Sequence, residues 1–476
     1  MLISNNLKTI KKSKNLNIYL VIFISAFIFR WLMDYLNFFN IDIITSDSIE
    51  YLNIAKSLKY FGVYGLDGVQ DMNRTPLYPF FIFFTDFIFG SNIKNIVFFQ
   101  IFLDSLNCCF IFYIAEKYKI KNFFKFILLV LIITCLYTSS YSLMIMTETL
   151  YSFLITLCLF FLSFKDKLSK FFFDFKYSSL FFIALVMVLI VLTRPIFVLT
   201  LMFFIFLCFL YIIFFEFKKF RLNLLKVITL GLFMTLLISP WSIRNILTFK
   251  DDIFSKNSIA TPLGYKTNYN MWKHFYLKEF KLFLKSYEEP FLMLAPNQPP
   301  KFAKYIYEGE KKDIQIAFEV LNKTPDINGK SGKQLEFSEE VKEKFKLIAE
   351  KRYEKKQILH ITAPVSRILK LLFAPRLSTF SSKESGFNSS KIKLITFMFY
   401  NFIYIFMALV FFLFRKNFEI NRVSYIFIFS ALASHIYAYT IWIPAPQSRY
   451  IIPLFPIFSL LTSISLDRVY KLIKER

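Results

Sequence analysis

Apolar stretches long enough to cross a bilayer recur along the whole chain. Roughly 20 consecutive apolar residues span the hydrocarbon core as a helix. Inside lipid only helices and closed barrels satisfy their own backbone polar groups. Continuous apolar runs, as opposed to short alternating ones, select the helix. Of the 476 residues, 56% are hydrophobic and 65 are Phe, which leaves too little polar surface for a soluble fold of this length. The sequence therefore predicts an all-α polytopic membrane protein.

The formal net charge is +25. Much of the Lys and Arg falls in short connections between apolar runs, where it sets orientation across the membrane. No nucleic-acid motif accompanies it, so nucleic acid is not an expected partner. Cys108, Cys109, Cys135, Cys158 and Cys208 all lie in apolar runs without a CxxC pairing and read as small core residues. His274, His360 and His435 are scattered, and no metal site is predicted.

The basic connections order the runs. Lys8, Lys11, Lys12 and Lys14 precede the first, at 18–38, and place the N-terminus in the cytoplasm. That run lacks a small-residue cleavage site and reads as a retained span. Further spans are expected near 93–115, 126–141, 143–164, two within 179–215, then 227–241, 392–414, 423–443 and 451–466. About ten spans with both termini inside satisfy the positive-inside rule at every short basic loop. Three regions follow: a membrane module over 1–244, a more polar outer domain or long loop over 245–390, and C-terminal spans over 391–476. The first outer loop, 39–92, carries an amphipathic helix from 45 to 60, with Ser46 or Asp47 as its expected N-cap. The short apolar segment 77–89 is expected to lie in the interface, as is a helix near 365–373.

In this topology unusual polar residues collect on the outer side. Asp47, Glu50 and Tyr51 are in the first loop, Arg74 in NRTPLYP, Glu148 in MTETL, Arg194 in LTRPI, Arg244 in SPWSIRN, and Arg449 with Tyr450 in QSRY. Cations are scarce at outer ends. One such Arg commonly snorkels to lipid headgroups. Four on one face, each near a proline that fixes the backbone, point to a shared anionic ligand. The planar guanidinium fork fits phosphate oxygens. A membrane lipid bearing phosphate, its tail between the spans, is the simplest ligand. Beside it a carboxylate can take a proton from an acceptor hydroxyl while the phosphate leaves. No Gly-rich nucleotide loop is present among only ten Gly.

The order DSIEYLNIA, then GVY, RTPLYP, the TE of MTETL, TRP, PWSIRN and SRYIIPLFP resembles one group. This is the GT-C membrane glycosyltransferases related to protein O-mannosyltransferases and to the bacterial lipid A aminoarabinose transferase. The resemblance runs over nearly the whole length. It implies a GT-C-like bundle and transfer of a sugar from a polyprenyl-phosphate donor to a glycolipid, glycan or protein acceptor. Low Gly with abundant Lys, Phe, Ile and Asn points to an AT-rich bacterial genome, hence an inner-membrane location, and the basic connections put the site on the outer face. The resemblance places the catalytic carboxylate on Asp47, with Glu50 and Tyr51 beside it, and a phosphate contact on Arg74. Arg194, Arg244, Arg449 and Tyr450 are further phosphate-binding candidates, and Glu148 is an acceptor-side or structural one. No cofactor is certain, and a divalent cation stays open. The family often has Asp-Glu at the first site, whereas here Ser48 follows Asp47 and Glu50 lies one turn on.

Two other classes fit parts of the pattern. A transporter or flippase of a lipid-linked substrate would use mid-span charges such as Arg30, Asp34 and Asp104. A polysaccharide polymerase or ligase would also use a large outer loop with Arg. The early Asp followed by RTPLYP favours the transferase.

Overall fold

The computed structural model describes residues 16–36, 43–72, 74–163, 177–215, 217, 220–250, 263, 278–287, 305–323, 339–373, 389–413, 422–442 and 448–475. Regular structure is almost wholly helical, as the apolar runs require. In order come α1 (Leu16–Tyr35), α2 (Ser46–Phe61), the strands β1 (Gly65–Leu66) and β2 (Val69–Gln70), α3 (Leu77–Phe89) and α4 (Ile93–Lys117). Next are α5 (Asn122–Ile133), α6 (Leu136–Ser142), α7 (Glu148–Ser163), α8 (Tyr177–Thr193), α9 (Phe197–Phe215) and α10 (Phe220–Thr248). Then follow α11 (Lys278–Lys285), α12 (Glu310–Lys323), α13 (Glu339–Lys355), α14 (Leu359–Phe373), α15 (Ser389–Leu413), α16 (Arg422–Tyr437) and α17 (Phe455–Lys474).

Among the described residues, six helices are long and apolar enough to cross a membrane: α1, α4, α9, α10, and the stretches Arg422–Ile441 and Ile452–Lys474. The pair α5–α6, bent by 40°, makes a seventh if it is one span. Helix α7, the Ser178–Thr193 part of α8 and the Asn401–Leu413 part of α15 are apolar but shorter. The chain is thus a multi-pass membrane protein, with six or seven helices among the described residues that suffice to span by length and composition. The predicted third span, 126–141, falls on the bent pair α5–α6, whose two helices meet at Thr134 and Cys135.

That break explains the mid-span charges. A helix interrupted in apolar surroundings leaves carbonyls without partners. Arg30 of α1, fully buried, donates to the carbonyls of Ile132 and Ile133, each at 3.3 Å, where α5 ends. Its Nε meets Asp104 Oδ2 of α4 at 2.6 Å. The pair therefore caps a broken helix, with one charge neutralising the other. Asp34 lies on the exposed side of α1.

Helix α2 begins with a capping box. Thr45 accepts from the backbone N–H of Ser48, and the Ser48 hydroxyl serves the Thr45 N–H in return. The cap is Thr45 and not Ser46 or Asp47, so the Asp47 carboxylate is released from that duty. Ser48 Oγ also donates to the Ile145 carbonyl at 2.8 Å, and the Ile145 N–H to the Ile43 carbonyl at 3.0 Å, which pins the start of α2 to the α6–α7 turn. Gly62 ends the helix at φ 65° and returns its N–H to the Leu58 carbonyl. The β1–β2 hairpin then turns through Asp67 (φ 49°) and Gly68 (φ 79°). A Cβ at Gly65 would lie 1.7 Å from the Val69 carbonyl oxygen, so only glycine fits there. Helix α3 has 13 residues, about 20 Å at 1.5 Å each, and cannot cross a bilayer upright.

Within 245–390, α11, α12 and α13 form a small bundle around Phe280, Phe283, Ile314, Phe318 and Phe345. Inside it Arg352 pairs with Glu310 and lies 3.7 Å over the Tyr287 ring. Helix α14 follows, burying Leu359, Ala363, Arg367 and Leu371. It leaves Ile361, Val365 and Leu369 exposed at helical spacing.

Candidate active site

The connections at one end of the bundle meet around Asp47. The residue stands in the first turn of α2, where the helix dipole favours a carboxylate. Its Oδ1 accepts from Arg74 Nη2 at 2.7 Å, and its Oδ2 from Arg449 Nη1 at 3.2 Å. Arg449 is 402 residues away in sequence. Glu50, one turn on, accepts from Arg74 Nε at 2.6 Å. The helix thus presents both carboxylates to one guanidinium. Arg74 Nη1 donates to Tyr51 Oη at 3.4 Å. The Asp47 and Glu50 side chains are 19% and 23% exposed, so the cluster opens to solvent on that side.

Arg74 is held by its own loop. Its carbonyl accepts from the Tyr64 hydroxyl at 2.8 Å, while Thr75 donates to the Thr193 carbonyl at 2.9 Å. The second bond ties the Arg74 loop to the α8–α9 turn that carries Arg194. Arg194 Nε donates to Thr147 Oγ1 at 2.7 Å, and its Nη2 is 2.5 Å from Glu148 Oε1. The latter is a charge contact without hydrogen-bond geometry, so both Glu148 oxygens lack a directed donor among the described residues.

On the far side, Arg449 Nη2 donates to Tyr450 Oη at 3.1 Å. The Tyr450 ring stacks on Tyr439 with centroids 3.9 Å apart and planes 6° from parallel. Arg194 lies over the rings of Tyr151 and Tyr450.

Three guanidiniums therefore face three carboxylates. Burial opposes the charge on each Arg, and its partners outweigh that penalty. For Arg74 these are Tyr51, Asp47 and Glu50, for Arg194 chiefly Glu148, and for Arg449 Tyr450, Glu148 and Asp47. All three are held above the ordinary guanidinium value and stay charged. Burial pushes the Tyr51 phenol up, so at neutral pH it is a proton donor and not a base. Among the described residues no group of three or more His, Cys, Asp and Glu gathers where a metal ion would be held.

Of the residues singled out in the sequence, Asp47, Glu50, Tyr51, Arg74, Glu148, Arg194, Arg449 and Tyr450 come together. Arg244 does not join them. Its guanidinium donates to the carbonyls of Tyr64 and Asp71, both at 2.9 Å, and to Asn245 Oδ1 at 2.8 Å. It clips the β1–β2 hairpin to α10 and so supports the loop that carries Arg74. Four participants escaped the sequence reading. Thr147 and Tyr151 flank Glu148 within one turn, a spacing that marks them in retrospect. Tyr439 and His435 sit in an apolar run and show no periodicity that would set them apart. The Tyr151 hydroxyl is 3.0 Å from His435 Nε2, and His435 Nδ1 is 2.7 Å from the Ala431 carbonyl.

No protein-family model matches the chain, and no curated protein matches its sequence. Among solved structures, the crystal structure of ArnT from Cupriavidus metallidurans in the apo state aligns with 94% of this chain and 77% of its own length, at 10% identity and a TM-score of 0.36.

Proposed function

We propose that this protein is an integral-membrane glycosyltransferase of the GT-C type that moves a sugar from a polyprenyl-phosphate donor to an acceptor hydroxyl. One observation carries the reading. Asp47, Arg74 and Arg449, from three distant segments, form a half-open ion cluster at the end of an apolar bundle. Two guanidiniums flank a carboxylate there, the arrangement needed to hold a phosphate leaving group beside a base. In the reaction Asp47 removes the acceptor proton, and the acceptor oxygen bonds to the anomeric carbon. The bond from that carbon to the phosphate oxygen breaks, and Arg74 and Arg449 take the charge that develops on the polyprenyl phosphate. Arg194 is the third cation, and Arg244 supports the loop. Sugar transfer from a polyprenyl-phosphate donor to an acceptor, catalysed by the purified protein in vesicles, tests the reading.

The charge on Arg74 and Arg449 sets the donor affinity in this scheme. A hydrogen bond to a charged partner contributes roughly 1.5–3 kcal/mol. Arg74→Ala and Arg449→Ala are each expected to weaken polyprenyl-phosphate binding by about ten-fold or more. Lys should restore little where the fork is used at two points. Arg244→Ala should act more weakly, through the hairpin. Equal affinity in all of these variants would remove the phosphate site.

The reading also orients the chain. Ten spans, adding α7, α8 and α15 to the seven, put both termini in the cytoplasm and the domain within 245–390 outside, between membrane modules 1–244 and 391–476. The lysines that follow the spans support this orientation. In a background without the native cysteines, Lys346→Cys on exposed α13 should react with an impermeant maleimide added outside, and Lys119→Cys only after permeabilisation. The reverse pattern would place the Asp47 cluster in the cytoplasm and end the polyprenyl-phosphate reading.

A further inference from the structure

Helix α16 does not end as an ordinary helix. Its last turn, Ala438–Trp442, is π-helical, a form that appears in short pieces and frequently at functional sites. Such a turn breaks the regular backbone ladder and turns a carbonyl outward. Here the Thr440 carbonyl accepts from Arg367 Nε of α14 at 2.6 Å.

Arg367 is 2% exposed, and Nη1 of the same guanidinium donates to the carbonyls of Lys285 at 3.0 Å and Tyr287 at 3.3 Å. These lie at the end of α11 and just past it, in the small helical bundle. No carboxylate pairs with Arg367 among the described residues. A buried cation whose partners are three carbonyls from two distant segments is costly unless its geometry is needed. What lies beyond Thr440 indicates the need. Tyr439, its neighbour, is the lower plate of the stacked pair with Tyr450. Leu371 of α14, Ala438 and Tyr439 form one apolar cluster, with Tyr450 packed against it. Tyr450 in turn accepts from Arg449 and lies under Arg194.

We infer that Arg367 is a positioning residue for the site, acting through the π turn. By holding the Thr440 carbonyl it fixes the Tyr439–Tyr450 stack, and the stack fixes the guanidinium of Arg449 against Asp47. It makes the small bundle of α11, α12 and α13 part of the active-site support. This rests on the proposed lipid-phosphate reading, and the test separates the two.

The experiment measures binding of undecaprenyl monophosphate to the full chain in detergent, with thermal midpoint and monodispersity followed in parallel. Arg367→Gln keeps a donor but loses the fork, and about five-fold weaker binding is expected. Arg367→Lys, which keeps the charge and reaches fewer carbonyls, should fall between it and wild type. The decisive variant combines Arg367→Gln with Arg449→Ala. If Arg367 acts through Arg449, the double variant should bind as weakly as Arg449→Ala alone, because the two share one effect. A merely structural Arg367 would lower the thermal midpoint and leave the affinity of the folded protein unchanged. That result, or losses that multiply in the double variant, would overturn the inference while Arg74→Ala still reported a phosphate site. Undiminished binding by both Arg74→Ala and Arg449→Ala would overturn the site and the inference with it.

Discussion

Asp47→Asn is expected to lower sugar transfer by about 10²–10⁴-fold while the protein stays folded. The amide keeps the size of the side chain and its power to accept a hydrogen bond, and loses its basicity. Folding should survive because Thr45 and Ser48, not Asp47, close the start of α2. Binding of the lipid phosphate should persist, since Arg74 and Arg449 remain. Glu50→Gln should cost less, because Glu50 touches Arg74 and not Arg449. Tyr51→Phe removes one long contact at 3.4 Å and should be mild. The check is single-turnover transfer by each purified variant. Near-wild-type turnover in well-folded Asp47→Asn would leave the carboxylate as a structural ion-pair partner, and transport of a lipid-linked substrate would become the better reading.

The largest stability effect should come from Arg30. Removing one member of a buried ion pair leaves the other charge uncompensated, at a cost on the order of 3–5 kcal/mol. Arg30→Leu strands the Asp104 carboxylate and bares the Ile132 and Ile133 carbonyls. A thermal midpoint well below wild type, and poor yield from the membrane, are expected. Adding Asp104→Leu should recover part of the loss by removing the stranded charge, the remainder being the uncapped end of α5. If Arg30→Leu retained the wild-type midpoint yet lost function, the pair would instead belong to a polar path through the bundle.

What was legible in the sequence followed from strong, local signals. The apolar runs gave the helices because lipid offers the backbone no other partner. The turn at Arg194 was marked by Pro195, and the convergence of Asp47, Arg74, Glu148, Arg194 and Arg449 by charges standing where charges are scarce. The break between α5 and α6 was hidden because Ile133, Thr134 and Cys135 interrupt no apolar run. The carbonyls it frees are met by the guanidinium of Arg30, on a helix about 100 residues earlier. The cap at Thr45 lies one or two residues before the expected one because Ser46 and Asp47 are equally good caps on composition. What separates them is the contact of Ser48 with Ile145, a long-range fact. Arg244 looked like its three counterparts, and only the fold of the hairpin shows its acceptors to be carbonyls. The π turn left no trace in the apolar run that contains it.

The most direct test of the central claim is a structure of the protein in a lipid nanodisc with bound polyprenyl phosphate. The account predicts phosphate density within hydrogen-bond distance of both Arg74 and Arg449, the Asp47 carboxylate beside it, and the prenyl chain running down between spans. Phosphate density away from this cluster, with Arg74 still bonded to Asp47 and Glu50, would contradict it.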